Sequence, residues 1–308
     1  MPDAPAYELV TRSAGLVERT GRVQLRLSGG EAAEFLQGQV TNDVEALEPG
    51  EGCYALLLTP KGKVRADLRV LRGADWLRID AERSARALLT RMVQMYSIGR
   101  DVRLEDETES RTILSLLGPG ARDALDAAPP EVEHAWVEGR HGLYAATHLG
   151  VDILCPTAER EAVRRALDVP EVSEEVAECL RIEAGRPRHG HELNEEVIPQ
   201  EAGLNERAVS FTKGCYVGQE TVARLFYKGR PNRHLRGLQL SAPGHAGDAV
   251  VLDGRRVGEI GSACVSPSLG PIALVLVRRE AEPGALVAVG EDGGSAEIVD
   301  VPFALAPA

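Results

Sequence analysis

The chain of 308 residues is 44% apolar, which excludes a disordered protein and leaves room for two or three domains with a sizeable core. Its net charge of −12 disfavours stable binding to nucleic acid, and we interpret the arginine-rich stretch 224–236 as a solvated linker. The longest apolar runs, such as 272–277, are too short to cross a membrane, and the first residues show no signal-peptide pattern.

The first predicted elements are a strand and a short helix. Residues 23–27 alternate between apolar and polar side chains, which is typical of a strand. Ser28 and Glu31 have the spacing of a capping box, and they predict a helix that ends near Gly38. The loop after this helix carries three polar residues that either face a ligand or stabilise a turn: Thr41, Asn42 and Asp43.

Residues 54–59 and 64–71 predict two strands joined by a short turn. In the second strand apolar and charged residues alternate, so we expect Asp67 on the face opposite the core, beside Arg65 and Arg69. This carboxylate is therefore either a single charge on a wet sheet face or part of a binding site.

The middle of the chain predicts a small α+β unit with helices on one face of an antiparallel sheet. Asp80 is expected to cap a helix that ends at Gly99, and another helix is expected from Ser173 to Ala184. Between them the expected strands are 112–117, 132–137, 142–147 and 151–155, and the expected helices are one opened by Gly118-Pro119 and one at 158–167.

The loop 188–203 contains two histidines and several glutamates, which are donor types that bind metals. Their spacing matches no helical His-x-x-x-His or zinc-finger pattern, so we interpret the loop as solvated and expect no metal site. The residues concerned are His189, His191, Glu192, Glu195 and Glu196.

Residues 213–220 read Lys-Gly-Cys-Tyr-Val-Gly-Gln-Glu, and we call them the octapeptide. Its two glycines bracket Cys215 in a manner that suits a tight turn, and the nearby cation of Lys213 favours the reactive thiolate. The alternative is a structural turn that holds a small, half-buried cysteine. The composition of residues 221–227 predicts a strand.

The five cysteines are scattered and show no Cys-x-x-Cys spacing, so we expect a reducing cytoplasm and no disulfide framework. After residue 236 the chain has short strand-like segments separated by glycine, proline or Asp-Gly, which predict a small β-barrel. These segments lie near 236–240, 249–252, 256–265, 272–278, 285–289 and 295–300.

Several stretches of the chain resemble one protein family. The octapeptide and the Thr-Val-Ala-Arg that follows it match the signature of the YgfZ family, folate-binding relatives of the aminomethyltransferase (T-protein) of the glycine cleavage system. The early segment 35–44 and the Ile-Pro-Gln-Glu-Ala run at 198–202 also resemble this family, and segments 180–187 and 258–270 resemble T-proteins. The resemblance thus extends in patches over nearly the whole chain.

The resemblance implies an α+β fold: a T-protein-like folate-binding core, an inserted ferredoxin-like α+β subdomain and a C-terminal small β-barrel. We expect the N-terminal part of the core at 1–110, the subdomain at 111–170, the returning core segment with the octapeptide at 171–234, and the barrel at 235–308.

The resemblance also implies a cytoplasmic, folate-binding protein that supports iron–sulphur cluster assembly or repair in client enzymes, including enzymes that thiolate transfer RNA. Its cofactor would be tetrahydrofolate or a one-carbon derivative. A cluster takes about four thiolates, so Cys215 would share a ligand or sulphur transiently, or form a mixed disulfide with a client. Two alternatives stay open: a tetrahydrofolate-dependent aminomethyltransferase, and a passive folate-binding scaffold in which Cys215 is inert.

The family pattern assigns roles to individual residues. The residues expected to carry chemistry are Cys215, Asp67 and Lys213, and T-proteins carry an essential aspartate at the strand position of Asp67. The residues expected to contact folate are Asn42, Asp67, Tyr216, Gln219, Glu220 and Arg224.

Two departures from the T-protein pattern weigh against the transferase. His148 stands where T-proteins hold the pterin ring with a glutamate, and Ala177 stands where they use an arginine. A carboxylate and a guanidinium are the groups that fix the orientation of such a ring. The balance therefore favours the YgfZ branch of the family.

Overall fold

The computed structural model describes residues 2–290 and 293–304, and these form two five-stranded sheets and a closed barrel. The first sheet is antiparallel with the strand order β3-β4-β5-β2-β6. Its strands are β2 (Arg22–Ser28), β3 (Gly52–Leu58), β4 (Val64–Arg72), β5 (Trp76–Glu82) and β6 (Arg103–Asp106).

One face of the first sheet forms the main core with two helices, α2 (Ala32–Gln37) and α3 (Arg86–Tyr96). Strand residues alternate between the two faces, so the apolar members of β2, β4 and β5 pack under the helices. The polar members, among them Asp67, Arg69 and Asp80, lie on the opposite face. This second face lines the cavity described below.

The second sheet is antiparallel with the order β1-β7-β10-β9-β8. Its outer face packs against helix α4 (Arg160–Leu167), and part of its inner face meets the first sheet through Leu71, Ile113 and Leu154. Its strands are β1 (Gly15–Glu18), β7 (Arg111–Leu117), β8 (Trp136–Gly139), β9 (Gly142–Thr147) and β10 (Gly150–Pro156).

The predicted C-terminal barrel is confirmed. Six antiparallel strands close in the order β11-β14-β13-β12-β15-β16 around an apolar interior. At the β12–β13 connection Asp253 and Gly254 both have positive φ, which matches the hairpin turn that Asp-Gly favours. The strands are β11 (Arg233–Leu240), β12 (Ala249–Leu252), β13 (Arg255–Ser266), β14 (Gly270–Arg278), β15 (Leu286–Val289) and β16 (Gly294–Val299).

Four further helices connect these parts. Helix α5 carries Glu174 and Glu175 in its first turn, where negative charge favours a helix, and it lies against β13, β14 and β1. The four are α1 (Ala4–Arg12), α5 (Glu174–Glu183), α6 (Asn205–Ala208) and α7 (Gln219–Lys228). Strand β1 lies in the expected N-terminal range 1–110 but pairs with β7 of the expected subdomain at 111–170. The second sheet therefore contains strands from both ranges.

Two predicted elements near the site are wrong. Asp80 does not cap a helix; it lies inside β5, where Leu77, Ile79 and Ala81 alternate with charged residues, and α3 begins only at Arg86. Residues 221–227 belong to helix α7 and not to a strand. Their β-branched and aromatic side chains suggest a strand, but burial of Val222 on one side of a helix outweighs that weak preference.

Two predicted helix starts are also wrong in detail. Ser28 makes no capping bond to α2; instead Asp101 accepts from the amide of Gly30 at 2.8 Å. Gly118-Pro119 opens only a short 3₁₀ turn over 119–121.

Candidate functional site

A cavity of about 180 Å³ lies between the polar face of the first sheet and the inner face of the second. Helix α5 and the segment after it form a third wall. The lining residues are Arg19, Arg22, Tyr54, Asp67, Arg69, Asp80, Glu82, Ile113, Ser115, Leu117, Glu133, His134, Thr147, His148, Leu149, Asp152, Ala177, Arg181, Arg186, Pro187, Arg188 and Arg207.

Asp67 is the one predicted site residue that lines this cavity. The residue is 7% exposed, and its Oδ2 accepts a hydrogen bond from the Tyr54 hydroxyl at 2.9 Å. Its Oδ1 is buried and has no hydrogen-bond partner among the described residues. Buried carboxylate oxygens are normally paired, so Oδ1 is positioned to accept from a ligand N–H or O–H in the cavity.

A buried ion network joins the two sheets beside Asp67. Arg69 contacts Asp80 of its own sheet at 2.7 Å and Asp152 of the other sheet at 2.7 Å. Arg22 binds the second oxygen of Asp80, also at 2.7 Å. Burial raises the pKa of Asp80, but Arg22 and Arg69 outweigh this and hold the pKa below its ordinary value. The network therefore fixes the charged floor of the cavity.

A second cluster, centred on Glu133, was not predicted from the sequence. Its carboxylate lies within 3.4 Å of the guanidinium groups of both Arg186 and Arg207, and within 3.8 Å of the rings of His134 and His148. Glu133 lies in the loop before β8, and its arginine partners are 53 and 74 residues away in the sequence. No local pattern could have identified it.

The two departures from the T-protein pattern, His148 and Ala177, both line the cavity. His148 lies 3.7 Å from Glu133, so a carboxylate is present next to the imidazole that replaces the family's glutamate. Arg181, one helical turn after Ala177, also lines the cavity, and its guanidinium is already engaged by Glu178 and Glu192.

The cavity is positively charged in an acidic protein. Seven arginines and five carboxylates line it, which leaves two positive charges in excess when the histidines are neutral. The chain as a whole carries a net charge of −12. An anionic ligand is therefore favoured inside the cavity over the surrounding surface.

Acid should destabilise the protein through the two cavity histidines. Burial, followed by the nearby arginines, lowers the pKa of His134 and of His148 to about 4, whereas an unfolded histidine titrates near 6.5. Stability from the neutral rings is therefore complete above pH 6.5 and is lost as the pH falls toward 4, by about 3 kcal/mol for each ring. Urea unfolding of the parent and of His148→Gln at pH 7 and pH 4.5 measures this loss. Equal pH dependence in the two proteins would contradict the assignment.

Lys213 fastens the octapeptide to the loop after α2. The residue is 8% exposed, and its ammonium donates to the backbone carbonyls of Gln37, Val40 and Asn42 at 2.6, 2.7 and 2.8 Å. Burial lowers the pKa of Lys213 to about 8, so the group is still charged at pH 7. All three N–H donors are used by these carbonyls. Stabilisation of a thiolate by Lys213 therefore stays a prediction without support from this hydrogen-bond set.

Cys215 is the exposed cysteine of the five. The others lie deeper: Cys155 and Cys179 are buried, and Cys53 and Cys264 are half-buried. Burial raises the pKa of Cys53 to about 12 and that of Cys155 to about 11, which disfavours their thiolates. Exposure therefore distinguishes Cys215 as the most accessible of the five thiols.

The remaining predicted folate contacts lie outside the cavity lining. Tyr216 is buried in a separate apolar cluster with Leu56 and Leu58, and burial raises the pKa of its hydroxyl to about 12. Gln219, Glu220 and Arg224 lie on the first two turns of α7, with Glu220 and Arg224 exposed to solvent. The cavity gives their predicted contact with folate no support.

Asn42 connects the octapeptide to the cavity. Its carbonyl accepts from Lys213, and its side-chain amide donates to the carbonyl of Tyr54 at 2.9 Å. The hydroxyl of Tyr54 in turn binds Asp67. Asn42 thus has a structural role between the two regions.

Among residues 2–290 and 293–304 there is no group of three or more histidine, cysteine or carboxylate side chains arranged to hold a metal ion. In the same part of the chain no helix is both long and apolar enough to cross a membrane.

Comparison with protein families gives two matches. The model of the GCVT N-terminal domain matches residues 5–150, and that of the glycine cleavage T-protein C-terminal barrel domain matches residues 233–304. The second match coincides with the closed barrel.

Individual relatives match almost the full chain. The tRNA-modifying protein YgfZ of Klebsiella pneumoniae is 30% identical over 303 residues, covering 91% of this chain and 90% of that protein. A probable aminomethyltransferase of Haloarcula marismortui is 31% identical over 314 residues, covering 92% and 85%. The crystal structure of the glycine cleavage system aminomethyltransferase T of Bartonella henselae superposes with a TM-score of 0.88 over 97% of this chain and 89% of that one. At 24% identity this last match shows a shared fold.

Proposed function

Because this chain belongs to the family of the glycine cleavage T-protein and YgfZ, we propose that it is a folate-binding protein that supports iron–sulphur cluster assembly or repair. Tetrahydrofolate, or a one-carbon derivative of it, would occupy the cavity, and Cys215 would act on client enzymes, including those that thiolate transfer RNA. The relative from Klebsiella pneumoniae is named as tRNA-modifying, which agrees with such clients.

The observation that carries the folate proposal is the free Oδ1 of Asp67. A reduced pterin has N–H groups along one edge, and a buried carboxylate oxygen that lacks a partner is a suitable acceptor for them. Ile113, Leu117 and Leu149 supply apolar surface in the same cavity. Binding sites for small ligands commonly combine such surface with a few fixed polar groups.

The charge of the cavity supports the same ligand class. The glutamate tail of folate carries two carboxylates at neutral pH, and the cavity lining has two positive charges in excess. Arg186 and Arg207 share the single carboxylate of Glu133, so their positive charge is only partly balanced. A folate without its glutamate, such as tetrahydropteroate, should therefore bind more weakly than tetrahydrofolate.

Calorimetry with tetrahydrofolate under argon tests the proposal. The parent should bind, and Asp67→Ala should weaken binding by about 10- to 100-fold, because a hydrogen bond to a charged group contributes roughly 1.5–3 kcal/mol. Asp75→Ala is the matched control, since Asp75 is exposed and lies outside the cavity lining, and it should bind like the parent. Absence of measurable binding by the parent at millimolar ligand would refute folate as the ligand.

Exposed apolar residues that follow Cys215 in the sequence support a protein as the thiol's partner. Val217, Phe226 and Tyr227 are large apolar residues with 37%, 46% and 66% of their surface exposed. The ring of Phe226 stacks on Phe211 with centroids 3.8 Å apart, which fixes the orientation of the exposed Phe226 ring. Exposed aromatic side chains of this kind are typical of interaction sites.

Aminomethyl transfer is the second candidate function. It is favoured by Asp67 in the cavity and by the relative from Haloarcula marismortui that is named a probable aminomethyltransferase. His148 and Ala177 disfavour aminomethyl transfer, because both occupy cavity positions where T-proteins use charged residues to contact the pterin. We expect no ammonia release with a lipoylated carrier protein. Turnover like that of a true T-protein would reverse this ranking.

A further inference from the structure

Two cysteines that are far apart in the sequence meet where helix α5 packs on the barrel. The sulfur of Cys179, in α5, lies 3.5 Å from that of Cys264, in β13. No other pair of cysteine sulfurs is within hydrogen-bonding distance in the described residues, which include all five cysteines. No pattern in the spacing of the cysteines predicted this contact.

The pair is accessible from one side and polar on the other. Cys264 is half-buried and Cys179 is fully buried, so a small molecule can reach only Cys264. The thiol of Cys264 donates to the sulfur of Cys179, which in turn donates to Oε1 of Glu183 at 3.5 Å. Glu183 also accepts from Tyr7 and Ser266. Each thiol proton therefore has a defined acceptor.

We propose that Cys179 and Cys264 form a reversible disulfide that covalently links α5 to the barrel. The sulfur atoms must approach by about 1.5 Å to reach the length of a disulfide bond. This is a small displacement for two cysteine side chains that are already in contact.

The reaction is an exchange with a small disulfide such as oxidised glutathione. The Cys264 thiolate attacks one sulfur of the reagent, which forms a mixed disulfide and releases one glutathione thiolate. Cys179 then passes its proton toward Glu183, attacks the sulfur of Cys264 and displaces the second glutathione thiolate. The protein loses two electrons and two protons, and these convert one oxidised glutathione to two reduced molecules.

The link would fix a wall of the cavity. Arg181, two residues after Cys179, lines the cavity and donates to the hydroxyl of Ser262 at 2.6 Å, two residues before Cys264. In the dithiol form only polar and apolar contacts hold helix α5 against strand β13. In the disulfide form the helix could not leave β13, so the oxidised protein should resist unfolding at this junction.

Peptide mapping tests the proposal, because each cysteine lies on its own tryptic peptide. The full chain is equilibrated with oxidised glutathione, its free thiols are alkylated in denaturant, and the protein is digested with trypsin. We expect a cross-link between peptides 166–181 and 257–278 that dithiothreitol reverses. We also expect a melting temperature raised by about 5 °C.

Three variants complete the experiment. Cys179→Ser and Cys264→Ser should each lose both the cross-link and the rise in melting temperature, whereas Cys155→Ser, at another buried thiol, should keep both. Glutathione attached to Cys215 would be found on the separate peptide 214–224 and would not obscure the result. Free thiols on both peptides after oxidation, or cross-links that involve other cysteines, would overturn the proposal.

Discussion

Under the proposed function, replacement of Cys215 by serine should abolish the restoration of iron–sulphur enzyme activity in cells that lack the protein. The side chain is exposed, so loss of one sulfur removes little packing and the variant should fold and accumulate like the parent. Serine does not form the thiolate that can ligate iron or exchange with a disulfide. The expected activity is therefore that of cells carrying an empty vector.

Cys53→Ser is the control for this experiment, because its thiol is half-buried and burial raises its pKa to about 12. It should restore activity. Iodoacetamide near neutral pH should label Cys215 before the other four cysteines, which tests accessibility without a cell. A Cys215→Ser variant that complements fully would leave the octapeptide as structure alone and favour the passive scaffold.

Replacement of Asp80 by asparagine should cost about 3 kcal/mol in the free energy of unfolding at pH 7, because it removes the counterion shared by the buried Arg69 and the half-buried Arg22. Each arginine then keeps one carboxylate partner, Asp152 for Arg69 and Glu82 for Arg22. Asp80 is 3% exposed, so water cannot take its place. Its lowered pKa means that this stabilisation is complete above pH 3.8, the ordinary value, and is lost only as the pH falls through the lower value of the folded state.

Glu105→Gln is the matched control for Asp80→Asn. Glu105 pairs with Arg26 at 3.2 Å on the same sheet, but its side chain is 54% exposed, so the change should cost less than about 1 kcal/mol. Urea denaturation of the three proteins at pH 7 gives the comparison. Equal losses for the two variants would mean that the network between the sheets contributes no more than a surface ion pair.

The sequence predicted those parts of the fold that have a local pattern. The six barrel segments and β4 alternate or are bounded by turn residues, and Asp67 follows from the alternation of β4. Strand β5 has equally strict alternation. The prediction that Asp80, inside this strand, caps a helix is therefore the avoidable error. Helix α7 is a different case, because its residue types favour a strand and only tertiary packing decides against it.

The sequence predicted fewer of the residues that form the site than of the strands and helices that form the fold. The resemblance identified Asp67 and the positions of His148 and Ala177, all of which line the cavity. Glu133 and the partners of Arg69 come from distant segments, and only folding brings them together. Charge pairs of this kind have no signature in a single sequence, because any arginine and any carboxylate can form one.

The buried ammonium of Lys213 also decides how the loop that carries Cys215 responds to proteases. Trypsin must take a lysine side chain into its own specificity pocket, and Lys213 is held inside by three carbonyls although Gly214 and Cys215 are exposed. The bond after Lys213 is therefore closed to the protease while the loop is folded. Cleavage at this bond occurs only through local opening. Its rate therefore reports how often the hydrogen bonds of Lys213 break and release the loop that carries Cys215.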